Sequence, residues 1–260
     1  MNTRIRVLTA VFAAIVLVAA CTRNGQEGMA KEKTKIIFLH HSTGKVIWDG
    51  GVKSWFKEYN RKNGTRYDIS ESAFPKEKPY GWNNYPYDYW KIWVENAGPE
   101  KYMKEPTLEI LTKEYDLIVF KHCFPVSDIL PDTGSPDINS SEKRLENYRA
   151  QYEALREKML SFPGTTFLVW TGAALVEARS DEGRGTRARE FARWVRDEWD
   201  RPGDNIFVWD LFGLETEGGM FLKEEYAASK TDSHPNGLFA TKAAPLFSQR
   251  VVDIIEGRVE

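Results

Sequence analysis

Cysteine is almost absent from this chain: Cys21 and Cys123 are the only two in 260 residues. Cys21 lies in an N-terminal segment that reads as an anchor, so Cys123 has no internal partner. No disulfide framework is therefore available, and a hydrophobic core must hold the fold. Histidine is equally scarce, with only His40, His41, His122 and His234. No two-plus-two Cys/His ligand spacing exists, so neither a metal nor any other cofactor is expected. Basic excess is also missing. The net charge is −2 and becomes more negative if Arg4 and Arg6 are removed, which argues against a nucleic-acid partner, where a basic footprint is expected. Spanning segments are missing too. The one long apolar run, Val7 to Ala20 broken only by Thr9, is shorter than the ~20 residues a transmembrane helix needs.

That run follows Arg4 and Arg6 and ends Val18-Ala19-Ala20-Cys21. A basic start, a short apolar stretch and small residues before a cut site describe a secretory signal. The small pair before Cys21 resembles the lipobox of bacterial lipoproteins. The resemblance implies a signal peptide over 1–20, a lipidated Cys21 and attachment to the cell envelope. Thr22 stands where an inner-membrane-retained lipoprotein has Asp, which favours the outer membrane or cell surface. The polar, aperiodic stretch after Cys21 reads as a tether, giving 21–34 for anchor and tether and 35–258 for one folded domain.

Within that domain, buried strands alternate with helices. Ile36 to Leu39, Leu117 to Phe120, Thr166 to Trp170 and Ile206 to Trp209 are continuous apolar runs, as expected of strands covered on both faces. A weaker strand is expected at Tyr67 to Ser70. Helical spacing appears from Val52 to Asn60 and over Leu145, Tyr148, Tyr152, Leu155 and Met159. It recurs over Phe191, Trp194, Val195 and Trp199, and finally from 237 to 255. The pattern predicts an α/β fold: three-layer α/β/α, flavodoxin-like, with a doubly wound parallel sheet. In such sheets the ligand site lies beyond the carboxyl ends of the strands.

Two motifs fall at such ends. The first strand runs into His40-His41-Ser42-Thr43-Gly44, where a turn can present a hydroxyl. Near the end of the chain, Thr231-Asp232-Ser233-His234-Pro235-Asn236-Gly237 opens the last helix. In these two motifs the chain resembles the SGNH, or GDSL-like, hydrolases. That family carries its serine directly after the first strand and its acid and base in a late Asp-x-x-His-Pro motif. The resemblance implies Ser42 as nucleophile, His234 as general base and Asp232 as the residue orienting the imidazole. A serine needs a base to become nucleophilic, an imidazole titrates near ~6.5, and a carboxylate fixes its tautomer.

Three departures from the family pattern stand out. The serine lies in His-His-Ser-Thr-Gly rather than Gly-Asp-Ser. The acid is two residues before the histidine, not three, so a backbone carbonyl or another carboxylate remains open as the orienting group. The oxyanion-hole asparagine expected after the third strand is missing from Lys121-His122-Cys123-Phe124-Pro125-Val126-Ser127-Asp128. One lost donor costs ~10²–10³ in rate. The Ser42 amide, Gly98, His122 and the backbone around Cys123 are the replacement candidates. His41 is a candidate substrate contact. Residues 80–93 are dense in Tyr, Trp, Asn and Asp. They suit stacking on sugar rings through Tyr87, Tyr89 and Trp90, or else fold their aromatics onto the core. Asp210 is an alternative acid or a helix cap, and Lys121 either offsets charge in the site or is solvated.

The function implied is an extracytoplasmic serine esterase acting on a small or glycan ester, with an acylated carbohydrate preferred. Two alternatives stay open: a glycan- or ligand-binding lipoprotein without turnover, and a sugar O-acyltransferase.

Overall fold

The computed structural model describes residues 33–81 and 83–259. The expected signal peptide, Cys21 and nearly all of the tether lie outside the described residues. Thr34, the last residue of the expected tether, is already in the first strand.

Among the described residues, seven strands and eight α-helices follow in chain order. β1 (Thr34–His40) leads into α1 (Ser42–Ile47), a π-helical turn and α2 (Lys53–Asn63), then β2 (Tyr67–Ala73). α3 (Pro86–Trp90) and α4 (Leu108–Leu111) precede β3 (Leu117–Phe120), and α5 (Leu145–Leu160) precedes β4 (Thr166–Trp170). α6 (Glu182–Trp194), β5 (Ile206–Trp209) and α7 (Leu211–Thr216) follow. A ribbon of β6 (Ala227–Ser229) and β7 (Asp232–Pro235) then delivers the chain to α8 (Gly237–Ile255).

The central sheet has the order β2-β1-β3-β4-β5, and every neighbouring pair is parallel. This is the flavodoxin-like order expected of the α/β/α class. Alternation along the strands divides the core in two. Ile36, Phe38, Leu117, Val119, Leu168 and Trp170 face a layer that includes Phe239, Phe247 and Val251 of α8. Ile37, Leu39, Ile118, Phe120, Phe167 and Val169 face Tyr148, Tyr152 and Phe191 from α5 and α6. Both faces are dry, which is why the strands read as unbroken apolar runs. Each such side chain contributes ~1.5–3 kcal/mol on burial. Among the described residues, no helix is long and apolar enough to cross a membrane.

The chain leaves β1 toward β2 on one side and returns to β3 on the other. The reversal opens a crevice at the carboxyl ends of β1 and β3, where ligands bind in sheets of this type. Ser42 follows β1 there, and Cys123 lies just beyond β3.

Candidate active site

The nucleophile candidate is presented by a tight strand-to-helix turn. His41 is extended (φ −128°, ψ −173°) and caps α1, its carbonyl accepting from Gly44 N–H (2.7 Å) and Lys45 N–H (3.2 Å). The turn can close because Gly44 has no side chain. A Cβ there would sit 2.5 Å from His40 Cβ, closer than real atoms approach. Ser42 is left half-buried at the opening of α1, where amide N–H groups have no intrahelical acceptor. Its hydroxyl lies 3.4 Å from Cys123 Sγ.

The imidazole candidate stands on β7, an element packed against α1. His234 Nδ1–H donates to Asp232 Oδ1 at 2.6 Å, and the His234 backbone N–H donates to the same oxygen at 3.0 Å. An ionised carboxylate only accepts, so this contact assigns the proton to Nδ1 and leaves Nε2 as an acceptor. The backbone N–H of His234, then its ring, holds the Asp232 carboxyl below its ordinary range. The ring is braced edge-on by Phe124 at 5.0 Å. Among the described residues, no hydrogen bond joins Ser42 to His234; the hydroxyl rests on Cys123 instead.

Neighbouring contacts anchor the late motif. Ser233 is buried, and its hydroxyl accepts from Val176 N–H at 3.0 Å. Asn236 caps α8 by accepting from Phe239 N–H (3.1 Å), and its amide donates to the carbonyls of Glu225 and Ala227.

A cavity of about 450 Å³ opens beside Ser42, lined by His40, His41, Lys45, Glu71, Ser72 and Ala73. His41 reaches across to donate from Nε2 to the Pro75 carbonyl, while His40 Nε2 pairs with Glu71 at 2.8 Å. Burial holds both imidazoles neutral, depressing His40 to about 3 and His41 to about 4. Clefts of about 530 and 660 Å³ flank α2, but neither is lined by a histidine or cysteine.

Several sequence expectations are corrected. Gly98 is not at this rim: its carbonyl accepts from Thr107 beside α4, in the segment leading into the start of β3. His122 is wholly buried against Tyr89, Phe120 and Tyr152 on the opposite face of the sheet, so it cannot serve as an oxyanion donor. The Cys123 amide is committed to Asn84 Oδ1 at 2.6 Å. Tyr89 and Trp90 are core residues rather than a sugar platform. Tyr89 is fully buried, donating to the Lys121 carbonyl at 2.9 Å, and Trp90 is nearly so. Tyr87 stays half-buried, its ring against Tyr85 and Trp90. Of the two readings open for Asp210 the cap holds: it accepts from Gly213 N–H at 3.0 Å. Lys121 is not a surface lysine but completely buried.

Asn84 and Glu215 were not legible as site-shaping residues. Asn84 is buried with φ +57°, a conformation asparagine tolerates better than most residues. It ties the loop after β2 to the loop after β3, donating to the Phe74 carbonyl at 2.8 Å. The Asn-Asn-Tyr-Pro context is a turn signal, but nothing in it reveals the partners. Glu215 is fully buried, accepts from Ala174 N–H at 2.6 Å, and is pushed up to about 8 by burial.

The fold has counterparts among solved structures. The fold is similar to that of an acetyl xylan esterase. That match has a TM-score of 0.51 at 17% identity and covers 84% of this chain and 99% of the esterase. A gut microbial diltiazem-metabolizing enzyme matches with a TM-score of 0.50 at 14% identity, over 84% of this chain and 47% of its own length. At these identities the likeness establishes the α/β fold. No protein-family model and no curated protein sequence matches the chain.

Proposed function

We propose that this chain is a serine esterase of the SGNH type, working outside the cytoplasm on acylated carbohydrate. Ser42 is the nucleophile, His234 the base and Asp232 its orienting acid. The observation that carries the reading is the 2.6 Å Asp232–His234 bond on β7, an element packed against the helix that Ser42 opens. It supports a proton on Nδ1, so that Nε2 is the ring nitrogen left for the serine. The two-residue spacing suits this role, because one carboxylate oxygen holds both the backbone and the ring of His234.

The chemistry is acyl transfer. The Ser42 hydroxyl hydrogen turns toward His234 while Oγ stays beside Cys123, an adjustment consistent with the looser hydrogen bonds of unliganded sites. Oγ attacks the ester carbonyl as His234 Nε2 takes its proton. His234 then protonates the departing alcohol, and water repeats the cycle to release the acid. The Ser42 amide, at the open end of α1, is the oxyanion donor for which geometry remains. The choice of substrate rests on the expected envelope location through Cys21 and on the fold shared with an acetyl xylan esterase.

A fluorophosphonate probe with p-nitrophenyl acetate tests the reading. We expect covalent labelling and turnover, both abolished in Ser42→Ala and His234→Ala, with Asp232→Asn slower by tenfold or more. Labelling that persists in Ser42→Ala overturns the assignment. The commitment of the Cys123 amide to Asn84 favours the second reading, a binding protein on this fold. That reading predicts neither labelling nor turnover, with acylated sugars still bound. Ester products formed when acceptor sugars are added would instead identify a transferase.

A further inference from the structure

Beside Ser42 lies a buried pair that the mechanism above does not use. Cys123 Sγ is 3.4 Å from Ser42 Oγ and 3.2 Å from Lys121 Nζ. Lys121 is completely buried and Cys123 nearly so. A lysine interior to a domain is costly unless its ammonium has a use. Its amine contacts the Cys123 thiol, and its charge also reaches the imidazoles of His40, His41 and His122 and the Glu215 carboxyl on α7. The three histidines are held neutral mainly by burial, with the Lys121 charge adding to the effect.

The hydrogen-bond inventory fixes the first step of the row: an ammonium has three donors and no acceptor, so Lys121 donates to the sulfur. The Ser42 contact admits either donor, and the S–H, not used by Lys121, is available to donate to Ser42 Oγ. A serine oxygen that accepts from Cys123 sends its own hydrogen elsewhere. We propose that Lys121 and Cys123 are positioning residues for Ser42: the lysine orients the thiol, and the thiol orients the serine hydroxyl so that its proton faces His234. The proposal rests on the serine-hydrolase reading above.

In the reaction, the Ser42 proton passes to His234 Nε2 as the Oγ–carbon bond forms. No proton moves to or from Cys123 or Lys121. Their S–H···O bond strengthens as negative charge gathers on Oγ, since a bond to a charged oxygen is roughly twice as strong as a neutral one.

The test compares full-length wild type with Cys123→Ala, Cys123→Ser and Lys121→Met, reading the fluorophosphonate labelling rate, kcat and KM separately, and melting temperature. We expect Cys123→Ala to lower labelling and kcat about tenfold, the worth of one hydrogen bond to a reacting oxygen. KM should hold within about twofold. Cys123→Ser, which restores a donor, should recover most of the loss, and Lys121→Met should resemble Cys123→Ala. If Lys121→Met does not fold, the two cysteine variants decide alone. Wild-type labelling in Cys123→Ala overturns the positioning role while leaving Ser42 as nucleophile. So does a loss that tracks melting temperature and is not rescued by serine. An unlabelled, inactive wild type overturns the hydrolase reading itself, and this proposal with it.

Discussion

Gly44 shows how little room surrounds the nucleophile. Its missing Cβ lets the first turn of α1 close over His40, which is itself pinned by Glu71 at 2.8 Å. Gly44→Ala must displace either His40 or the turn carrying Ser42. Overpacking of this kind costs about 1–3 kcal/mol, so we expect a lower melting temperature together with a disproportionate fall in Ser42 labelling. An alanine variant that matches wild type in both would show that the contact is relaxed at no cost. Ser42, Asp232 and His234 can be nominated from sequence because each motif is local: a serine just past an apolar run, and an acid and imidazole two residues apart. His122 is buried rather than an oxyanion donor, and of the two roles open to Tyr89 and Trp90 the structure has the core one, because a residue's type does not reveal which face of a strand or loop it occupies. Lys121 is the sharpest case. A lysine is ordinarily solvated, and only the layers closing over the end of β3 bury this one.

Helices and strands were read with uneven success, for reasons that lie in their patterns. The four apolar strands are unbroken hydrophobic runs and the helices α5 and α8 carry helical spacing, and the structure has them. The β6–β7 ribbon does not show in the sequence because Ala227–Ser229 and Asp232–Pro235 hold no apolar run, although it bears His234. Its stability depends on its exit into α8. Asn236 accepts from Phe239 N–H at 3.1 Å and donates to two carbonyls of the segment around β6. Asn236→Ala removes the helix cap, worth about 1 kcal/mol, and releases the ribbon. We expect a lower melting temperature and a kcat that falls with KM little changed. A stability loss without any effect on kcat would mean that the ribbon holds its place by other contacts. Residues 80–93 failed in the opposite way. Their aromatic density is real, but most of it packs inward, with Tyr89 bonded to Phe74 and Lys121 carbonyls.

Buried ionisable groups tie the stability of the fold to pH in opposite directions. His40 and His122 are depressed to about 3, and His41 to about 4, each chiefly by burial. The unfolded chain binds these protons first, so stability falls as pH drops from about 6.5 toward those values. Glu215 is raised by burial from 4.5 to about 8. Here the folded state holds the proton longer, so its contribution declines as pH climbs from about 4.5 to about 8. Glu215→Gln keeps an acceptor for Ala174 N–H and cannot ionise. Denaturant titrations should find it close to wild type near pH 5 and more stable by a few kcal/mol near pH 8. A constant gap between the two proteins across that range would mean that Glu215 does not carry the linkage.

Hydrophobic runs and their spacing were enough to specify an α/β sandwich and to put two chemical motifs at strand ends, because burial on both faces writes an unbroken apolar signal into each strand. The order of the strands was not written there, since parallel neighbours are joined by long crossovers whose direction leaves no periodic trace. That order brings the end of β1 beside the end of β3. It therefore sets Ser42 against Cys123 and Lys121, residues some eighty positions away whose types alone gave no hint of the contact. Local preferences act over a few residues, whereas burial and electrostatics act through space, and the chemistry around this serine belongs to the second kind.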